Sequence, residues 1–508
     1  MQKKRGIRIK LRVILTAIGL LIAIAGMLWA AVSLQHNFFK IFSAFEILGI
    51  IISLYIVNKR ENPSYKIAWI VFILVLPVFG LFIYMMWGGQ RTFPHLKKRF
   101  LKCEQRYMKY LEQDPAVKRL LCYEDNSQTR QASYLFRESG YPVYKDSSVT
   151  YLSPGEVFLP TLIEELKKAE KYIFIEYFII ADGKMWNAIY EVLKEKAALG
   201  VEVKVIFDDF GSIKRQYADF LVRLKKAGIE VSVFCPLKPS LNMVMNNRNH
   251  RKIIIIDGNV AFTGGINIAD EYINEFERFG YWMDCAAMVK GCAVDSFVIM
   301  FCTMWEYITG KQILMSGHLI SKPIYSEGYV LPYADSPMDT KSTAEGIYQQ
   351  ILNTAHNSVD IATPYLILDD TMTSAIKLAA KAGVKIRIVT PYIPDKKYVH
   401  PVTQYYYSEL MDAGAEIYEY TPGFIHSKIF ICDNVSATIS TVNMDYRSFY
   451  FHFECGVWFT SEETIKEMKT HFEEILKDSK KIDKNLWKKR GIVTRFKQWF
   501  LHLFAPLM

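Results

Sequence analysis

The sequence predicts an α/β protein with two pseudo-symmetric halves, each a mixed β-sheet flanked by helices, preceded by an N-terminal transmembrane helical region. Three observations support this prediction. A motif of the same polar pattern occurs twice, at residues 250–267 and 426–443. Strands alternate with helices in the same order before both copies, as is typical of α/β sheets. Long apolar runs fill much of the first 90 residues.

The apolar runs predict transmembrane helices at about residues 13–34, 41–57 and 67–87. The first run has no charged residue over 22 positions, which is enough to cross a hydrocarbon core of about 30 Å. It is also longer than the apolar centre of a secretory signal, the alternative interpretation. We therefore expect residues 1–90 to form a multi-pass membrane region. Positive charges flank the runs almost equally on both sides, so the positive-inside rule does not set the orientation.

Charge and cysteine content suggest the partner and the compartment. The 508 residues include 62 Lys and Arg against 52 Asp and Glu, and the net charge of +10 suits anionic lipid or nucleic acid equally. The eight cysteines form no C-x-x-C pair and no zinc-like spacing. We therefore expect no disulfide framework, no metal and no cofactor, and we place the catalytic part on the cytoplasmic side.

Segments of different character surround the two halves. Residues 91–145 are basic and aromatic, and they predict a linker close to the membrane, with a solvated protein face as the alternative. The first half is expected over residues 146–325 and the second over residues 326–482. Residues 483–508 predict an amphipathic helix that lies on the membrane surface or packs on the enzyme itself.

Within the halves, the predicted elements match one for one. The first half reads as helix 160–170, strand 172–180, helix 185–199, strand 201–207, helix 215–227 and strand 229–234. The second half reads as helix 343–355, strand 358–363, helix 371–382, strand 384–390, helix 401–413 and strand 416–420. Even the turns agree, with K-A-A-L-G-V-E-V in one half and A-A-K-A-G-V-K-I in the other.

Both copies of the motif carry four polar residues at the same spacing. They are His250, Lys252, Asp257 and Asn267 in the first copy, and His426, Lys428, Asp433 and Asn443 in the second. Residues i and i+2 of an extended chain point to one side, so the His and the Lys share a face at the mouth of a strand. The Asp begins a hairpin turn, and the return strand brings the Asn back towards the level of the His.

An imidazole beside an ammonium and a carboxamide suits a phosphate ester. Lysine supplies compact positive charge for phosphoryl oxygens, and asparagine adds a neutral donor. A histidine with an ordinary pKa of about 6.5 can attack phosphorus or move a proton. Two such half-sites facing each other would provide one nucleophile and one general acid and base.

Three acidic residues beyond these motifs are further candidates. Glu454 follows His426 by 28 residues on an apolar strand, and Asp284 holds the comparable place after His250. A carboxylate at either place can accept a hydrogen bond from one ring nitrogen and fix the tautomer of the imidazole. The alternative for each is a structural buried acid. Glu176, on an otherwise apolar strand, is a candidate for the substrate pocket.

The duplicated pattern H-x-K-x4-D-x6-G-G/S-x-N resembles the phospholipase D superfamily, over about residues 150–480. The run N-M-D-Y-R-S-F that begins at Asn443 resembles bacterial cardiolipin synthases, as do the apolar runs N-P-S-Y-K-I-A-W-I and L-P-V-F-G-L-F-I-Y-M-M-W-G near the N-terminus. The segment at 13–34 is then an addition to the family's membrane hairpin. The family often has Gly where this chain has Ser440, which joins the substrate-binding candidates Asn267, Asn443 and Glu176.

This resemblance implies a membrane phosphatidyltransferase that makes cardiolipin and glycerol from two phosphatidylglycerol molecules. It implies a phosphatidyl-histidine, favours His250 as the nucleophile and assigns acid and base work to His426. The two His-Lys-Asp sets are then catalytic, and no nucleotide or metal is required. A hydrolytic phospholipase D, a membrane-tethered nuclease and a catalytically silent lipid-binding protein are the alternatives. The apolar spans favour lipid over nucleic acid, and the intact motifs argue against a silent protein.

Overall fold

The described residues divide into an N-terminal unit at 38–88 and a larger unit that holds nearly all the others. The structure is a computed structural model, and it describes residues 38–59, 61–88, 94–123, 126–213, 215–216, 219–236, 247–339 and 341–507. The predicted helix at 13–34 lies outside the described residues.

Three helices are described in the N-terminal unit: α1 (Phe38–Val57), α2 (Pro63–Val75) and α3 (Pro77–Trp87). The predicted helix at 41–57 is therefore present as α1. Among the described residues, α1 is the one helix long and apolar enough to cross a membrane, and only 17% of its apolar window is buried within the protein. Apolar side chains that are not buried in a protein core suit contact with lipid.

The prediction of one continuous helix at 67–87 is wrong, because the chain breaks at Pro77. A proline has no backbone N–H and disfavours helical geometry in the preceding residue, and Leu76 has φ −130° and ψ 71°. The resulting helices have 13 and 11 residues, each too short for a core of about 30 Å. A Cβ at Gly80 would stand 2.6 Å from Cα of Ile73, so glycine permits α3 to fold back on α2. A multi-pass topology stays a prediction.

The segment 91–145 is also not the predicted linker. It contains the helices α4 (Pro94–Met108), α5 (Pro115–Tyr123) and α6 (Ser127–Ser139), which belong to the larger unit. Helix α4 buries Phe100, Cys103 and Tyr107, whose spacing of three and four residues forms one apolar stripe beneath the basic residues. The hydroxyl of Tyr107 accepts the backbone N–H of Ile313 at 3.0 Å.

The first half is a seven-stranded mixed sheet with flanking helices. Its elements are β1 (Ser147–Leu152), α7 (Gly155–Lys167), β2 (Tyr172–Tyr177), α8 (Lys184–Ala198), β3 (Glu202–Asp208), α9 (Asp209–Ser212), α10 (Phe220–Lys226), β4 (Glu230–Phe234), β5 (Arg248–Asn249), β6 (Lys252–Ile256), β7 (Val260–Gly264), a 3-10 turn (Asp270–Ile273), β8 (Tyr281–Met283), β9 (Ala286–Gly291) and α11 (Val294–Thr309). The strand order is β1-β9-β7-β6-β2-β3-β4, with β2, β3 and β4 parallel and the other neighbours antiparallel.

The second half repeats this plan. Its elements are β10 (Val330–Asp335), α12 (Thr343–Thr354), β11 (Ser358–Ala362), α13 (Asp370–Lys381), β12 (Lys385–Pro391), α14 (His400–Tyr405), α15 (Tyr407–Ala413), β13 (Glu416–Tyr420), β14 (Gly423–Ile425), β15 (Ile429–Cys432), β16 (Ser436–Ser440), α16 (Tyr446–Tyr450), β17 (His452–Phe459), α17 (Glu462–Lys477), β18 (Ser479–Lys481), α18 (Lys484–Lys488), α19 (Ile492–His502) and a 3-10 turn (Ala505–Leu507). The order β10-β17-β16-β15-β11-β12-β13 matches the first sheet strand for strand, and β18 extends its edge. The predicted pair of pseudo-symmetric α/β halves is confirmed.

A tight hairpin turn follows the first strand of each motif, as predicted. Asp257 and Gly258 have φ values of 51° and 65°, and Asp433 and Asn434 have values of 52° and 59°. Two consecutive residues in the left-handed region define the turn whose twist matches that of paired strands. Gly, Asn and Asp tolerate this region best, which explains the residues found at both turns.

Two short strands join the halves. Strand β5, just before His250, pairs in parallel with the start of β17 from the second half. Strand β14, just before His426, pairs in parallel with β8 from the first half. Each motif histidine therefore follows directly from a strand that is hydrogen-bonded to the opposite half.

The C-terminal helix α19 packs against the larger unit by its polar side. Gln498 is only 1% exposed, and the ring of His502 stacks on Tyr405 with centroids 3.9 Å apart. The exposed apolar side chains on and after the helix are Ile492, Val493, Phe496, Trp499, Phe500, Leu503 and Phe504. An outward apolar face of this kind fits the predicted membrane-surface helix, which stays a prediction.

Candidate active site

His250 is held in place by the second half. Its backbone N–H donates to the carbonyl of Phe453 at 2.9 Å, and its ring Nδ1 lies 2.9 Å from both carboxylate oxygens of Glu454. Because an ionised carboxylate only accepts hydrogen bonds, this contact assigns the ring proton to Nδ1. The lone pair of Nε2 is then left for chemistry.

His426 is held in the same way by the first half. Its backbone N–H donates to the carbonyl of Met283 at 2.7 Å, and its Nδ1 lies 2.6 Å from Asp284. The tautomer is again the one with Nε2 unprotonated. The two histidines thus have equivalent supports, each supplied by the opposite half.

The order of the chain suggested a pairing of acids and histidines that the structure corrects. Glu454 follows His426 in sequence but contacts His250, and Asp284 follows His250 but contacts His426. The exchange results from the parallel pairing of β5 with β17 and of β14 with β8, which sets each histidine beside the opposite half's acid. Both acids are fully buried.

The motif lysines are buried next to the histidines. Nζ of Lys252 donates to the carbonyl oxygen of His250 at 2.7 Å, and Nζ of Lys428 donates to the carbonyl oxygen of His426. Burial lowers the pKa of Lys252 to about 8 and that of Lys428 to about 7, because a charged ammonium loses hydration there. A bound phosphate would restore the charge on both.

Burial and nearby positive charge lower the pKa of both motif histidines. Burial, followed by the positive charges of Lys252, Lys428 and His426, holds the pKa of His250 well below its ordinary value. Burial also lowers the pKa of His426 to about 4, and Lys428 adds to that effect. Lys428 and His426 belong to the second half, so the charges of that half act on the imidazole of the first half. Both imidazoles are neutral near pH 7, as attack on phosphorus requires.

Aromatic rings explain why the imidazoles lose their hydration. The ring of Phe178 lies 4.9 Å from that of His250, centroid to centroid. The rings around His426 are those of Tyr272 at 5.5 Å, Trp282 at 5.6 Å and Phe424 at 5.9 Å. The two histidines are each 7% exposed, so both imidazoles are largely removed from solvent.

The two motif asparagines differ. Oδ1 of Asn267 accepts the backbone N–H of Ile179 at 3.1 Å, and its Nδ2 donates to the hydroxyl of Tyr272 at 2.7 Å. This carboxamide is therefore engaged within the first half. Oδ1 of Asn443 is buried without a hydrogen-bond partner among the described residues. Asn443 thus keeps more capacity for a ligand than Asn267.

Asp257 and Asp433 stand outside the site, which corrects their place in the predicted catalytic sets. Strand β6 separates Asp257 from His250, and seven extended residues span about 20 Å. The carboxylate of Asp257 accepts the backbone N–H groups of Glu170, Lys171 and Tyr172 at 2.7–2.8 Å. The carboxylate of Asp433 does the same for residues 356–358 at 2.7 Å. Each aspartate closes the start of the neighbouring strand.

We expect Asp257→Ala to lower the free energy of unfolding by about 1–3 kcal/mol, because three N–H groups lose a charged acceptor. Asp257→Asn keeps one acceptor oxygen and should lose less. In both variants kcat should stay within about twofold of wild type where the protein is folded, because the turn is far from the imidazoles. Denaturant unfolding and turnover, measured side by side, test this. A large loss of kcat at unchanged stability would contradict the structural role.

Two predicted substrate-binding residues also lie elsewhere. The hydroxyl of Ser440 lies 2.8 Å from the hydroxyl of Tyr348 in the core of the second half. Glu176 is fully buried behind the site, accepts Nδ2 of Asn249 at 2.8 Å, and has its pKa raised to about 7 by burial. Neither side chain contacts the motif imidazoles. The structure therefore corrects the predicted substrate-binding roles of Ser440 and Glu176.

His452 is a residue near the site that sequence reasoning missed. Its ring lies 5.5 Å from that of His250, and its Nδ1 is 3.6 Å from Glu454. Its position two residues before Glu454 was the available signal. Ligand atoms of these three residues lie within 4.8 Å of one another, a spacing that would suit a divalent ion. Since Nδ1 of His250 is already bonded to Glu454, we assign Glu454 to orientation of that imidazole.

The lowered pKa of Lys428 predicts a pH dependence. In the free enzyme its ammonium loses a proton above pH 7, so kcat/KM should fall as the pH rises from about 7 to 9, because a phosphodiester anion binds the cation. The profile of kcat should fall at higher pH, since bound phosphate raises this pKa. The unfolded lysine has a pKa near 10.4, so the unfolded state binds more protons and the substrate-free protein should become more stable over that range. A flat kcat/KM profile would contradict this.

Comparison with known proteins agrees with this geometry. The family described as "Cardiolipin synthase, PLD-like domain" matches residues 162–277 and 348–476, and "Phospholipase_D-nuclease N-terminal" matches residues 47–89. An uncharacterized protein of Streptococcus mutans is 41% identical over 90% of this chain and 99% of its own length. Cardiolipin synthase 2 of Bacillus anthracis is 34% identical over 91% of each chain, and cardiolipin synthase of Geobacillus kaustophilus is 33% identical over 97% and 99%.

Among solved structures, phosphatidylserine synthase of Haemophilus influenzae shares the fold. It superposes with a TM-score of 0.56 at 12% identity, covering 75% of this chain and 98% of its own. At that identity the likeness concerns architecture alone. The sequence matches extend over both halves and both histidine motifs. The chain therefore belongs to the bacterial cardiolipin synthase family of the phospholipase D superfamily.

Proposed function

We propose that this protein is a cardiolipin synthase that transfers a phosphatidyl group from one phosphatidylglycerol to another through a phosphatidyl-histidine. The observation that carries the proposal is the pair of buried imidazoles, each with Nδ1 bonded to an acid of the opposite half. Two unprotonated Nε2 atoms at one cation-rich centre can divide the work between nucleophile and acid or base.

The first step would break the bond between phosphorus and the glycerol headgroup. Nε2 of His250 attacks the phosphorus of the donor lipid, and Glu454 stabilises the positive charge that develops on the imidazole. His426 takes up a proton at Nε2 when the anionic phosphodiester of the donor binds, because that negative charge and Asp284 favour the imidazolium, and it gives this proton to the departing glycerol oxygen. Lys252 and Lys428 balance the negative charge on the phosphoryl oxygens. The products are glycerol and phosphatidyl-His250, with neutral His426.

The second step would return the phosphatidyl group to a hydroxyl. The terminal hydroxyl of a second phosphatidylglycerol attacks phosphorus, and neutral His426 accepts its proton. The phosphorus–nitrogen bond breaks, which restores His250 and gives cardiolipin. One phosphodiester is consumed and one is formed, so the residues of this chain complete the cycle without an energy source.

Transfer in place of hydrolysis requires that water be scarce at the intermediate. The aromatic rings around His426 and the low exposure of both histidines favour this condition. An acceptor held in the site then outcompetes water. A phospholipase D that releases phosphatidic acid is the second candidate, since the same histidines would serve it.

We propose a membrane as the place of action, with phosphatidylglycerol as partner and no nucleic acid. Helix α1 suits a bilayer, and the exposed apolar face of α19 suits its surface. We place the catalytic unit on the cytoplasmic side, because the seven cysteines with described side chains are all free.

The test is to supply the purified full-length protein with phosphatidylglycerol alone in mixed micelles and to quantify glycerol, phosphatidic acid and cardiolipin. Transfer predicts cardiolipin and glycerol in equal amounts. Phosphatidic acid in place of cardiolipin would establish hydrolysis. An inactive protein in which neither lipid product forms would refute both candidates.

A further inference from the structure

Arg248 holds a buried guanidinium that is not fully used. The residue is 3% exposed, and neither Nε nor Nη1 has a hydrogen-bond partner among the described residues. Nη1 lies 3.6 Å from Oδ1 of Asp208, an ion pair too long for a hydrogen bond. The oxygens of Asp208 already accept the backbone N–H groups of Phe210, Gly211 and Asn249. Asp208 and the ring of Phe210, whose centroid lies 4.9 Å from the guanidinium carbon, therefore position Arg248 but leave Nε and Nη1 without an acceptor.

A second arginine and a histidine lie close to Arg248 in the fold: Arg447 is on α16, which leads directly into β17, and His452 is the β17 residue paired with Arg248. The guanidinium of Arg447, a partly buried residue on α16, has no hydrogen bond or ion pair with any described residue. Burial lowers the pKa of Arg447, the charge of Asp445 raises it, and the charge of Arg248 lowers it further. Both ring nitrogens of His452 are buried without a hydrogen-bond partner in the described part of the chain, and Nδ1 lies 3.6 Å from Glu454. Burial lowers the pKa of His452 to about 3, so the ring is neutral and has one N–H to donate. Asp208 and Asp445 offset part of the charge of the two arginines, and an anion bound between the guanidinium groups would offset the rest.

The strand register puts this cluster beside the nucleophile. Arg248 and His452 are paired residues of the parallel strands β5 and β17, so their side chains share a face. His250 and Glu454 follow two residues later on each strand and lie on that same face, as their hydrogen bond shows. The unsatisfied donors are thus about 7 Å along the strand from the catalytic imidazole.

We propose that Arg248, Arg447 and His452 form a second anion subsite that binds the phosphodiester of the acceptor phospholipid. The inference rests on the proposed function and adds where the second substrate sits. The three-carbon bridge of the acceptor's glycerol headgroup separates its own phosphodiester from its attacking hydroxyl by a similar length. A guanidinium offers the forked donors that phosphate oxygens match. The subsite would hold the acceptor so that its terminal hydroxyl reaches the phosphorus on His250.

This arrangement separates the two half-reactions. The donor phosphorus is handled by the motif histidines and lysines, and the acceptor phosphodiester by Arg248 and Arg447. Free glycerol, an acceptor without a phosphate, should react with phosphatidyl-His250 without help from the subsite. Exchange of labelled glycerol into phosphatidylglycerol therefore reports the donor side alone, while cardiolipin formation reports both sides.

The experiment compares these two rates in the full-length protein in mixed micelles of phosphatidylglycerol and detergent. In Arg248→Gln and in Arg447→Gln, the ratio of cardiolipin formation to glycerol exchange should fall about tenfold to a hundredfold, because charge-assisted hydrogen bonds to one substrate are lost. Arg248→Lys keeps the charge and should fall less. Arg137→Gln, which changes an exposed arginine at the end of α6, should leave the ratio unchanged.

Parallel loss of both rates, or an unchanged ratio, would overturn the subsite. Thermal unfolding shows whether Arg248→Gln is folded, and if it is not, the partly exposed Arg447 provides the same test. A wild-type enzyme that makes no cardiolipin would refute the proposed function and the acceptor assignment together. Loss of both activities in variants of an active wild type would refute the acceptor assignment alone.

A further arm separates a lipid phosphodiester from free phosphate. Inorganic phosphate added to wild type should compete with the acceptor, so that it lowers cardiolipin formation more than glycerol exchange, and Arg248→Gln should abolish this difference. Phosphate that alters both rates equally through Arg248 would identify a site for the free ion and contradict the acceptor assignment.

Discussion

His250→Ala is expected to lower turnover by about 10⁴-fold or more, because it removes the atom that forms the covalent intermediate. His426→Ala should be as inactive in steady state, but for a different reason. This variant keeps the nucleophile and lacks the group that protonates glycerol and activates the acceptor. The two variants should therefore differ in a single turnover.

A phosphatidyl ester of p-nitrophenol makes this difference visible, because its leaving group departs without a proton. His426→Ala should release about one equivalent of p-nitrophenolate and remain phosphatidylated, as shown by the intact mass of the protein, whereas His250→Ala should release none. The opposite pattern would exchange the roles of the two histidines. If neither variant gave a burst and wild type did, the two-histidine mechanism would be wrong.

Glu454→Gln is expected to slow the same burst by about 10³–10⁴-fold, although Glu454 belongs to the half that carries His426. The amide cannot stabilise the charged imidazole of His250 and allows the wrong tautomer. Asp284→Asn should leave the burst nearly intact and slow turnover with phosphatidylglycerol, because Asp284 supports the acid and base. Pairing by the order of the chain would join Glu454 to His426 and Asp284 to His250. It would therefore predict that Asp284→Asn slows the burst and that Glu454→Gln leaves it nearly intact.

The matched control for these variants is Glu419→Gln, a buried acid of the second half that bonds to Gln404 and Tyr407. It should leave burst and turnover unchanged. Glu454→Gln combined with His250→Ala should cost nothing beyond His250→Ala alone, since the acid acts through that ring. An additive loss in the double variant would refute the crossed pairing.

Local features of the site were predictable from sequence, and contacts between the halves were not. The spacing of His and Lys along one strand, and the hairpin turn at Asp257-Gly258, depend on neighbouring residues, and the structure has both. The pairing of Glu454 with His250 depends on strands of two or three residues, which are too short to show a periodic pattern. Nothing local marks which half such a strand joins.

Two other predictions from sequence, the catalytic role of Asp257 and the continuous helix at 67–87, also differ from the structure for physical reasons. Asp257 lies at a fixed spacing in the motif because it caps the start of β2, and fixed spacing alone does not distinguish a structural role from a catalytic one. The apolar run at 67–87 is long enough to span a membrane, but Pro77 divides it into two helices. Proline has no N–H for the helical hydrogen bond, and hydrophobicity alone does not keep the helix continuous at that residue.

The crossed strands also limit how the duplicated halves can evolve. After most duplications, one copy is free to drift while the other maintains the original task. Here each half supplies the carboxylate that holds the histidine of the other half. A mutation that removes the carboxylate from one half therefore impairs the histidine of the other. The pair is therefore inherited as a single functional unit, and a separated half would recover activity only by associating with another.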